Sequence, residues 1–148
     1  MKYQFLTCFL LIQSVMLVAP SQEKADEIIG IWLTGGKEPA KIQIFKSRDK
    51  FYGRIVWLQN PTTDGKPRAD VKNPDKNRRD QPILGQLILT GVIFDGDDEW
   101  DHGRIYDPES GKTYKCYISL SDKNTIKIRG YVGMSLFGRT ETWAKTTL

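Results

Sequence analysis

The amino-acid sequence predicts an all-β protein, folded as a single antiparallel up-and-down β-barrel of about eight strands with one long polar loop. Apolar and polar residues alternate at period two in segment after segment, and short links rich in Gly, Asp, Asn or Ser separate these segments. We find no amphipathic helix of useful length. Many short strands joined by hairpin turns are typical of a barrel or a sandwich.

The strands are clearest in the C-terminal half, where residues 113–120, "TYKCYISL", and 125–132, "TIKIRGYV", alternate without a break. Because successive side chains of a strand point to opposite faces, each segment buries one face of a sheet. The content of β-branched and aromatic residues predicts the other strands at Ile28–Thr34, Lys41–Lys46, Phe51–Leu58, Leu84–Phe94, Glu99–Tyr106 and Gly138–Lys145.

The N-terminus has the pattern of a secretory signal peptide. Lys2 precedes the apolar run Phe5–Val18, which is too short to span a bilayer comfortably. We therefore expect residues 1–25 to be removed, residues 26–148 to form one domain, and the protein to be exported to the periplasm or secreted; an uncleaved membrane anchor is the alternative. Small residues that suit a cleavage site stand at Ala19, Ser21 and Ala25.

Charge and cysteine content narrow the classes of partner. The chain has a net charge of +4, and +3 remains after cleavage at Ala25. This excess is scattered, so it indicates no nucleic-acid site, and at most a weak association with an anionic envelope surface. Cleavage leaves Cys116 as the one cysteine, so no internal disulfide can form and the fold must depend on its core.

The polar segment Asn60–Pro82 interrupts the strands. It is rich in Pro, Asp, Asn, Lys and Arg and has no apolar periodicity. A loop this long in a compact domain is usually functional or disordered. The segment is either a solvated flap or a lid across one mouth of the barrel.

The tripeptide Gly111-Lys112-Thr113 resembles the end of a nucleotide-binding P-loop, but Tyr106 stands where that motif needs its first glycine. The residues that follow alternate as a strand, so no helix N-terminus is available for a phosphate. The local residues instead suit a hairpin turn. The Asp107 carboxylate can accept from nearby backbone N–H groups, Pro108 presets its own φ, and Gly111 can take a positive φ.

Barrel closure suggests a structural cluster at the two ends of the domain. Gly30 and Trp32 open the first strand and Arg139 lies in the last, and these strands are neighbours in a closed barrel. We expect the Arg139 guanidinium to stack on the Trp32 indole, which closes the bottom of the barrel as in lipocalin-type proteins. Lys145 is the alternative partner if the register differs.

The aromatic residues suggest a ligand cavity. An eight-stranded barrel either fills with side chains or leaves room for one small ligand. Aromatic walls with one or two arginines would suit an amphipathic molecule with an anionic head. The alternative is that rings such as Trp100, Tyr117 and Trp143 fill the core. The candidate ligand-binding residues are Arg54, Trp57, Arg104, Tyr106 and Tyr114.

No pattern of catalytic, metal-binding or cofactor-binding residues is found. His102 is the one histidine, and no Gly-x-Ser-x-Gly elbow places a nucleophile beside it. A non-enzymatic, ligand-binding exported barrel is the leading hypothesis, and an envelope interaction protein with a filled barrel is the second. A hydrolase that uses carboxylates such as Asp70, Asp101 or Asp107 ranks last.

The chain also carries, in order, "FYGRIVWL", "NPD", "LGQLILTG", "GRIYDPESGKTY", "IKIRGYVG" and "TETWAK". In these stretches it resembles the bacterial secreted family catalogued as domain of unknown function 2147, from about Gly30 to Lys145. The resemblance implies a small exported protein with a lipocalin-like barrel, without an established activity or recognised catalytic residues. Many members have cysteines where Tyr52, Tyr131 and Phe137 stand here, so a disulfide role is absent from this chain.

Overall fold

A computed structural model describes residues 20–148 and shows a closed antiparallel barrel of eight strands. A short helix and a 3₁₀ turn, Asp26–Ile28, precede it, and a second 3₁₀ turn, Lys76–Arg78, lies in the long loop. The elements are α1 (Pro20–Ala25), β1 (Gly30–Leu33), β2 (Ala40–Ser47), β3 (Lys50–Leu58), β4 (Thr62–Thr63), β5 (Lys66–Pro67), β6 (Leu87–Gly96), β7 (Glu99–Asp107), β8 (Lys112–Asp122), β9 (Thr125–Tyr131) and β10 (Gly138–Thr146).

The strand order confirms the predicted up-and-down barrel. Around the barrel the strands run β1-β10-β9-β8-β7-β6-β3-β2, and β4 and β5 form a separate hairpin. All eight predicted strands are present, with bounds that shift by one to three residues. The ring closes where β1 pairs with β10, so Trp32 lies opposite Lys145.

Alternation buries one face of each strand, as the sequence predicts. In β8 the side chains of Cys116 and Ile118 are buried, and in β9 those of Ile126 and Ile128. Cys116 is a free thiol in the core, and its burial raises the pKa of the thiol to about 12. Apolar burial at roughly 25 cal/mol per Å² is the main source of stability in a domain without cross-links.

The N-terminal segment closes one end of the barrel, here called the floor. The Trp32 indole N–H donates to the carbonyl of Ile28 (2.8 Å), and the Trp100 indole N–H donates to the carbonyl of Ala25 (3.0 Å). An ion pair between Lys46 and Asp26 (2.7 Å) holds the same segment from outside. Both buried indoles are thus hydrogen-bonded, as buried polar groups require.

The predicted cation–π pair at the floor has a different cation. Lys145 Nζ lies 5.2 Å from the centre of the Trp32 ring, because Lys145 is the register partner of Trp32. Arg139 is six residues earlier than Lys145 in β10, near the start of the strand, and its side chain is 81% exposed beside Glu141. The prediction of an Arg139–Trp32 stack is therefore wrong, and the alternative, Lys145, is correct. Gly30, at φ +145, leaves room for the Lys145 stem.

The turn between β7 and β8 has the geometry expected at Asp107 and Gly111. The Asp107 carboxylate accepts from the backbone N–H of Glu109 (2.9 Å) and from the Ser110 hydroxyl (2.6 Å). Gly111 has φ +69, and its N–H donates to the Asp107 carbonyl (2.8 Å). A strand follows instead of a helix, which removes the P-loop interpretation.

The long polar loop is an ordered part of the fold. It contains the β4–β5 hairpin and a 3₁₀ turn, and it is fixed by Asp70, whose side chain is fully buried. The Asp70 carboxylate accepts from the Tyr106 hydroxyl (2.7 Å), the Asn73 amide (2.7 Å) and the Gln86 amide (3.2 Å). Three donors compensate the cost of burying this charge.

The predicted signal sequence falls mostly on residues that the structure does not describe. The run Phe5–Val18 lies outside the described residues, and so does Cys8. Across residues 20–148, the helices are too short and too polar to span a bilayer.

We expect Gly111→Ala to lower the free energy of unfolding by about 2 kcal/mol more than Gly133→Ala. Both glycines have left-handed φ, +69 and +72, so both substitutions bear the same backbone cost of about 1–2 kcal/mol. A Cβ at residue 111 would lie 2.0 Å from the Lys72 carbonyl oxygen, and nothing lies within 4 Å of one at residue 133. Urea unfolding measures both, and equal losses would contradict the packing role of Gly111.

We expect an exported chain to begin before Ala25. Cleavage at Ala25 would remove the carbonyl that accepts from the buried Trp100 indole. Cleavage after Ser21 keeps this bond and places Ala19 and Ser21 at the two small-residue positions that signal peptidase recognises. The intact mass of the mature protein tests this, and a chain that starts at Asp26 would contradict it.

Candidate ligand-binding cavity

The barrel holds a cavity of about 610 Å³ at the end opposite the floor. The loops at this end, residues 34–39, 59–86, 108–111 and 132–137, form what we call the mouth, since the strands enter or leave the barrel there. A volume near 600 Å³ lies within the usual range for small-molecule sites, about 300–1,000 Å³.

The cavity walls are predominantly branched aliphatic side chains. Five strands, β2, β3, β6, β7 and β9, supply them, and β10 adds the Trp143 indole. These side chains are shorter than the indoles that fill the floor, so the upper half of the barrel remains unfilled. The wall residues that matter most here are Ile42, Ile55, Ile88, Ile105, Ile128 and Trp143.

Polar groups are concentrated toward the mouth. Glu141 accepts from the Trp143 indole N–H (3.4 Å) through one oxygen and lies 3.4 Å from the Arg139 guanidinium through the other. Arg68 of the long loop pairs with Glu38 of the β1–β2 loop at 2.5 Å, which joins two of the loops that surround the opening. The cavity therefore has an apolar interior and a charged rim.

Tyr106 connects the cavity wall to the long loop. Its ring lines the cavity, and its hydroxyl donates to Asp70, so the loop cannot move without breaking a hydrogen bond to a buried carboxylate. Burial and the hydrogen bond to Asp70 raise the pKa of Tyr106 to about 12. The loop is thus a fixed side of the mouth.

Two of the five predicted ligand-binding residues, Tyr106 and Tyr114, line the cavity. Arg54 lies on the outer face, 4.5 Å from the centre of the Phe45 ring, and Trp57 is on the same face beneath Lys41 (5.4 Å).

Arg104 also points outward. It borders a smaller cleft of about 220 Å³ between the barrel and the long loop. The expectation that Arg54, Trp57 and Arg104 line the interior is therefore wrong.

Strand parity and one bulge explain these outer positions. Arg54 and Arg104 each precede an inward residue, Ile55 and Ile105. Trp57 would face inward by alternation from Ile55, but the pairing of β2 with β3 shifts register there and turns it outward.

The other predicted aromatic residues divide between core and surface. Trp100 and Trp143 are buried, in agreement with the hypothesis that rings fill the core. Tyr117 packs on the outside against Tyr131, with ring centres 6.3 Å apart. Large rings fill the floor half of the barrel, and the cavity occupies the mouth half.

The carboxylates considered for hydrolysis all have structural contacts. Asp70 is buried in the loop network, Asp107 caps the β7–β8 turn, and Asp101 accepts from the backbone N–H of His102 (2.6 Å). His102 itself is exposed at φ +62, in an irregular part of β7. Within residues 20–148, no three His, Cys, Asp or Glu side chains are arranged to hold a metal ion.

Sequence reasoning missed Glu141 and the isoleucine walls. Glu141 carries a signal that was available, since alternation from the inward Trp143 places it on the inner face. The isoleucines have no such signal, because the same residues would serve equally well in a solid core.

Comparison with known proteins identifies the family. A family model described as an uncharacterised protein conserved in bacteria, DUF2147, matches residues 30–145. The chain belongs to this family. The match begins at the first barrel strand and ends in the last, so the DUF2147 domain is the whole barrel.

One solved structure supports the fold of this DUF2147 barrel. Protein HP1028 from Helicobacter pylori, described as belonging to the lipocalin family, has 22% identity and a TM-score of 0.72, covering 81% of this chain and 83% of that one. A redesigned β-barrel has 16% identity and a TM-score of 0.48, with 83% and 95% covered. The search of curated proteins finds no significant match. The DUF2147 chain is thus a lipocalin-like barrel.

We expect Tyr106→Phe to lower the free energy of unfolding near neutral pH by about 1–3 kcal/mol, since the buried Asp70 loses one of its three donors. This difference should shrink as the pH rises from 10 to 12. In that range the unfolded tyrosine loses its proton while Tyr106 in the fold, with its pKa of about 12, retains it.

Urea unfolding at several pH values measures the effect, with Tyr52→Phe on the outer face as the control. If the difference in free energy of unfolding between wild type and Tyr106→Phe stays constant up to pH 12, the hydrogen bond from Tyr106 to Asp70 is contradicted.

Proposed function

We propose that this protein is a non-enzymatic carrier that binds a small hydrophobic or amphipathic molecule inside the barrel. The observation that supports this is the unfilled upper half: about 610 Å³, bordered by isoleucines and Trp143 and open at the mouth. Removing the apolar surface of a ligand from water contributes a binding free energy of roughly 25 cal/mol per Å². This is the main interaction that such a cavity offers.

The rim suggests the orientation of the ligand. An apolar body would occupy the space below Tyr114, and a polar or anionic head would remain at the mouth near Arg139. Arg139 already has Glu141 at 3.4 Å, so an anionic head would compete with this carboxylate for the guanidinium. A ligand that carries its own hydrogen-bond donor would instead contact Glu141.

The proposal places the protein outside the cytoplasm. It draws on the N-terminal pattern of Lys2 and Phe5–Val18, and on the small residues that follow. A barrel whose buried thiol has a pKa of about 12 suits an oxidising compartment, because the thiolate is the reactive form.

We expect the amphipathic probe 1-anilinonaphthalene-8-sulfonate to bind saturably, one molecule per chain. Ile105→Trp should weaken this binding at least about tenfold, because the indole occupies cavity space. Arg104→Trp is the matched control: it introduces the same side chain at the adjacent residue, on the outer face. Fluorescence titration gives both constants, and thermal unfolding checks that each variant is folded.

A ligand retained from the cell should also appear by native mass spectrometry of protein purified from its own envelope, and be absent from Ile105→Trp. Unsaturable probe binding, or equal binding by Ile105→Trp and wild type, would contradict the cavity as the site. Loss of binding in Arg104→Trp alone would move the site to the outer cleft.

A further inference from the structure

The loop between β9 and β10 presents an unusual amount of apolar surface. In the sequence "VGMSLF", residues 132–137, all four large side chains are exposed: Val132 by 67%, Met134 by 67%, Leu136 by 75% and Phe137 by 69%. Single exposed apolar residues are normal, but an apolar cluster of this kind marks an interaction site.

The loop is held in one conformation, so its exposed state is built into the fold. The Arg129 guanidinium donates to the carbonyls of Ser135 (2.7 Å) and Leu136 (3.2 Å) and to the Thr140 hydroxyl (2.9 Å). This clamp prevents the tip from folding back over the cavity. A preorganised tip loses little conformational freedom when it binds.

The two charged residues that flank the tip in the sequence are basic, and one of them, Arg139, also pairs with Glu141 at 3.4 Å. Arg129 and Arg139 stand on either side of it, and the sequence between them contains no acidic residue. Arg139 is 81% exposed. Apolar residues with flanking Arg or Lys are the composition of segments that enter the interface of an anionic bilayer.

The size of the tip favours a membrane over a protein. A stable protein–protein interface uses about 20–30 residues a side, and this apolar surface comes from a single six-residue loop. A second copy of the chain would meet the same limit. A bilayer accepts a small projecting tip because the lipids rearrange around it.

The position of the tip relates it to the cavity. Val132 and Phe137 line the mouth, so a tip in the bilayer would bring the opening to the lipid surface. Met134 and Leu136 are not among the lining residues. The loop therefore has two members that face the cavity and two that face away from it.

We propose that the β9–β10 loop docks the protein on an anionic bilayer surface with the cavity mouth toward the lipid. An apolar ligand then passes between bilayer and cavity without entering water. The docking follows from the loop alone, and only the transfer rests on the proposed function.

The test is co-sedimentation with vesicles of phosphatidylcholine and phosphatidylglycerol. We expect Met134→Ser with Leu136→Ser to lower the partition coefficient at least about tenfold. Leu148→Ser is the matched control, since Leu148 is 76% exposed and follows β10 at the floor end. Every variant carries the same N-terminus, so a difference between them reports on the loop. Vesicles of phosphatidylcholine alone should bind more weakly, and added salt should reduce binding to the anionic ones.

The double variant keeps the cavity lining, so its binding of 1-anilinonaphthalene-8-sulfonate should equal that of wild type. Failure of docking and failure of ligand binding are thereby separate results. No vesicle binding by wild type, equal binding by the double variant, or an equal loss in Leu148→Ser would each overturn the proposal. Concentration-dependent dimerisation of wild type that the double variant lacks would assign the tip to a second copy instead.

Discussion

The fold depends on the pairing of its first and last strands. β1 has only four residues, but it pairs with β2 on one side and with β10 on the other. Where β1 runs, the sheet therefore has no free edge. Contacts at the floor support this pairing. The Trp32 ring makes a cation–π contact with Lys145 of β10, and the Trp32 indole N–H donates to the carbonyl of Ile28, just before β1. A change in the register of β1 would separate Trp32 from Lys145, and a shift by one residue would move the buried Trp32 side chain to the outer face.

The interior is divided by side-chain size. In the floor half, Trp32, Trp100 and Phe51 are fully buried, and the chain that leads into β1 supplies carbonyls for the two indole N–H groups. In the mouth half, the inward residues of the same strands are mostly isoleucines, which are too short to meet across the barrel. One chain therefore has a well-packed core for stability and an unfilled volume above it, and neither feature compromises the other.

Much of the barrel follows from alternation. Strand existence, the hairpin at Asp107 and Gly111, and the meeting of the chain ends depend on local chemistry that a sequence displays. Which face of the sheet an individual side chain occupies is harder to predict from the sequence. Trp57 turns outward because the register of β2 and β3 shifts between Lys41 and Ile42, and a bulge of this kind leaves no mark in the residues themselves.

Register also explains the wrong partner for Trp32. Period two gives the face of Arg139, but its height in the barrel depends on where β10 begins relative to β1. Arg139 and Lys145 share a face, but they are six residues apart and lie near opposite ends of β10. The face alone therefore does not place a residue in the barrel. The sequence leaves a ligand cavity and a filled core as alternatives for a related reason, since an unfilled volume depends on distances across the barrel.

The shortness of β1 also affects the wall of the barrel. β1 pairs with β10 only over Ala144–Thr146, whereas β10 begins at Gly138. Above Ala144 the backbone of β10 has β9 on one side and no strand on the other. The β1–β2 loop takes the place of a strand there, since a Cβ at Gly35 would lie 3.4 Å from the Thr142 carbonyl oxygen. This side of the wall therefore has fewer inter-strand hydrogen bonds than the rest of the barrel, and it is where the barrel can widen at the lowest cost.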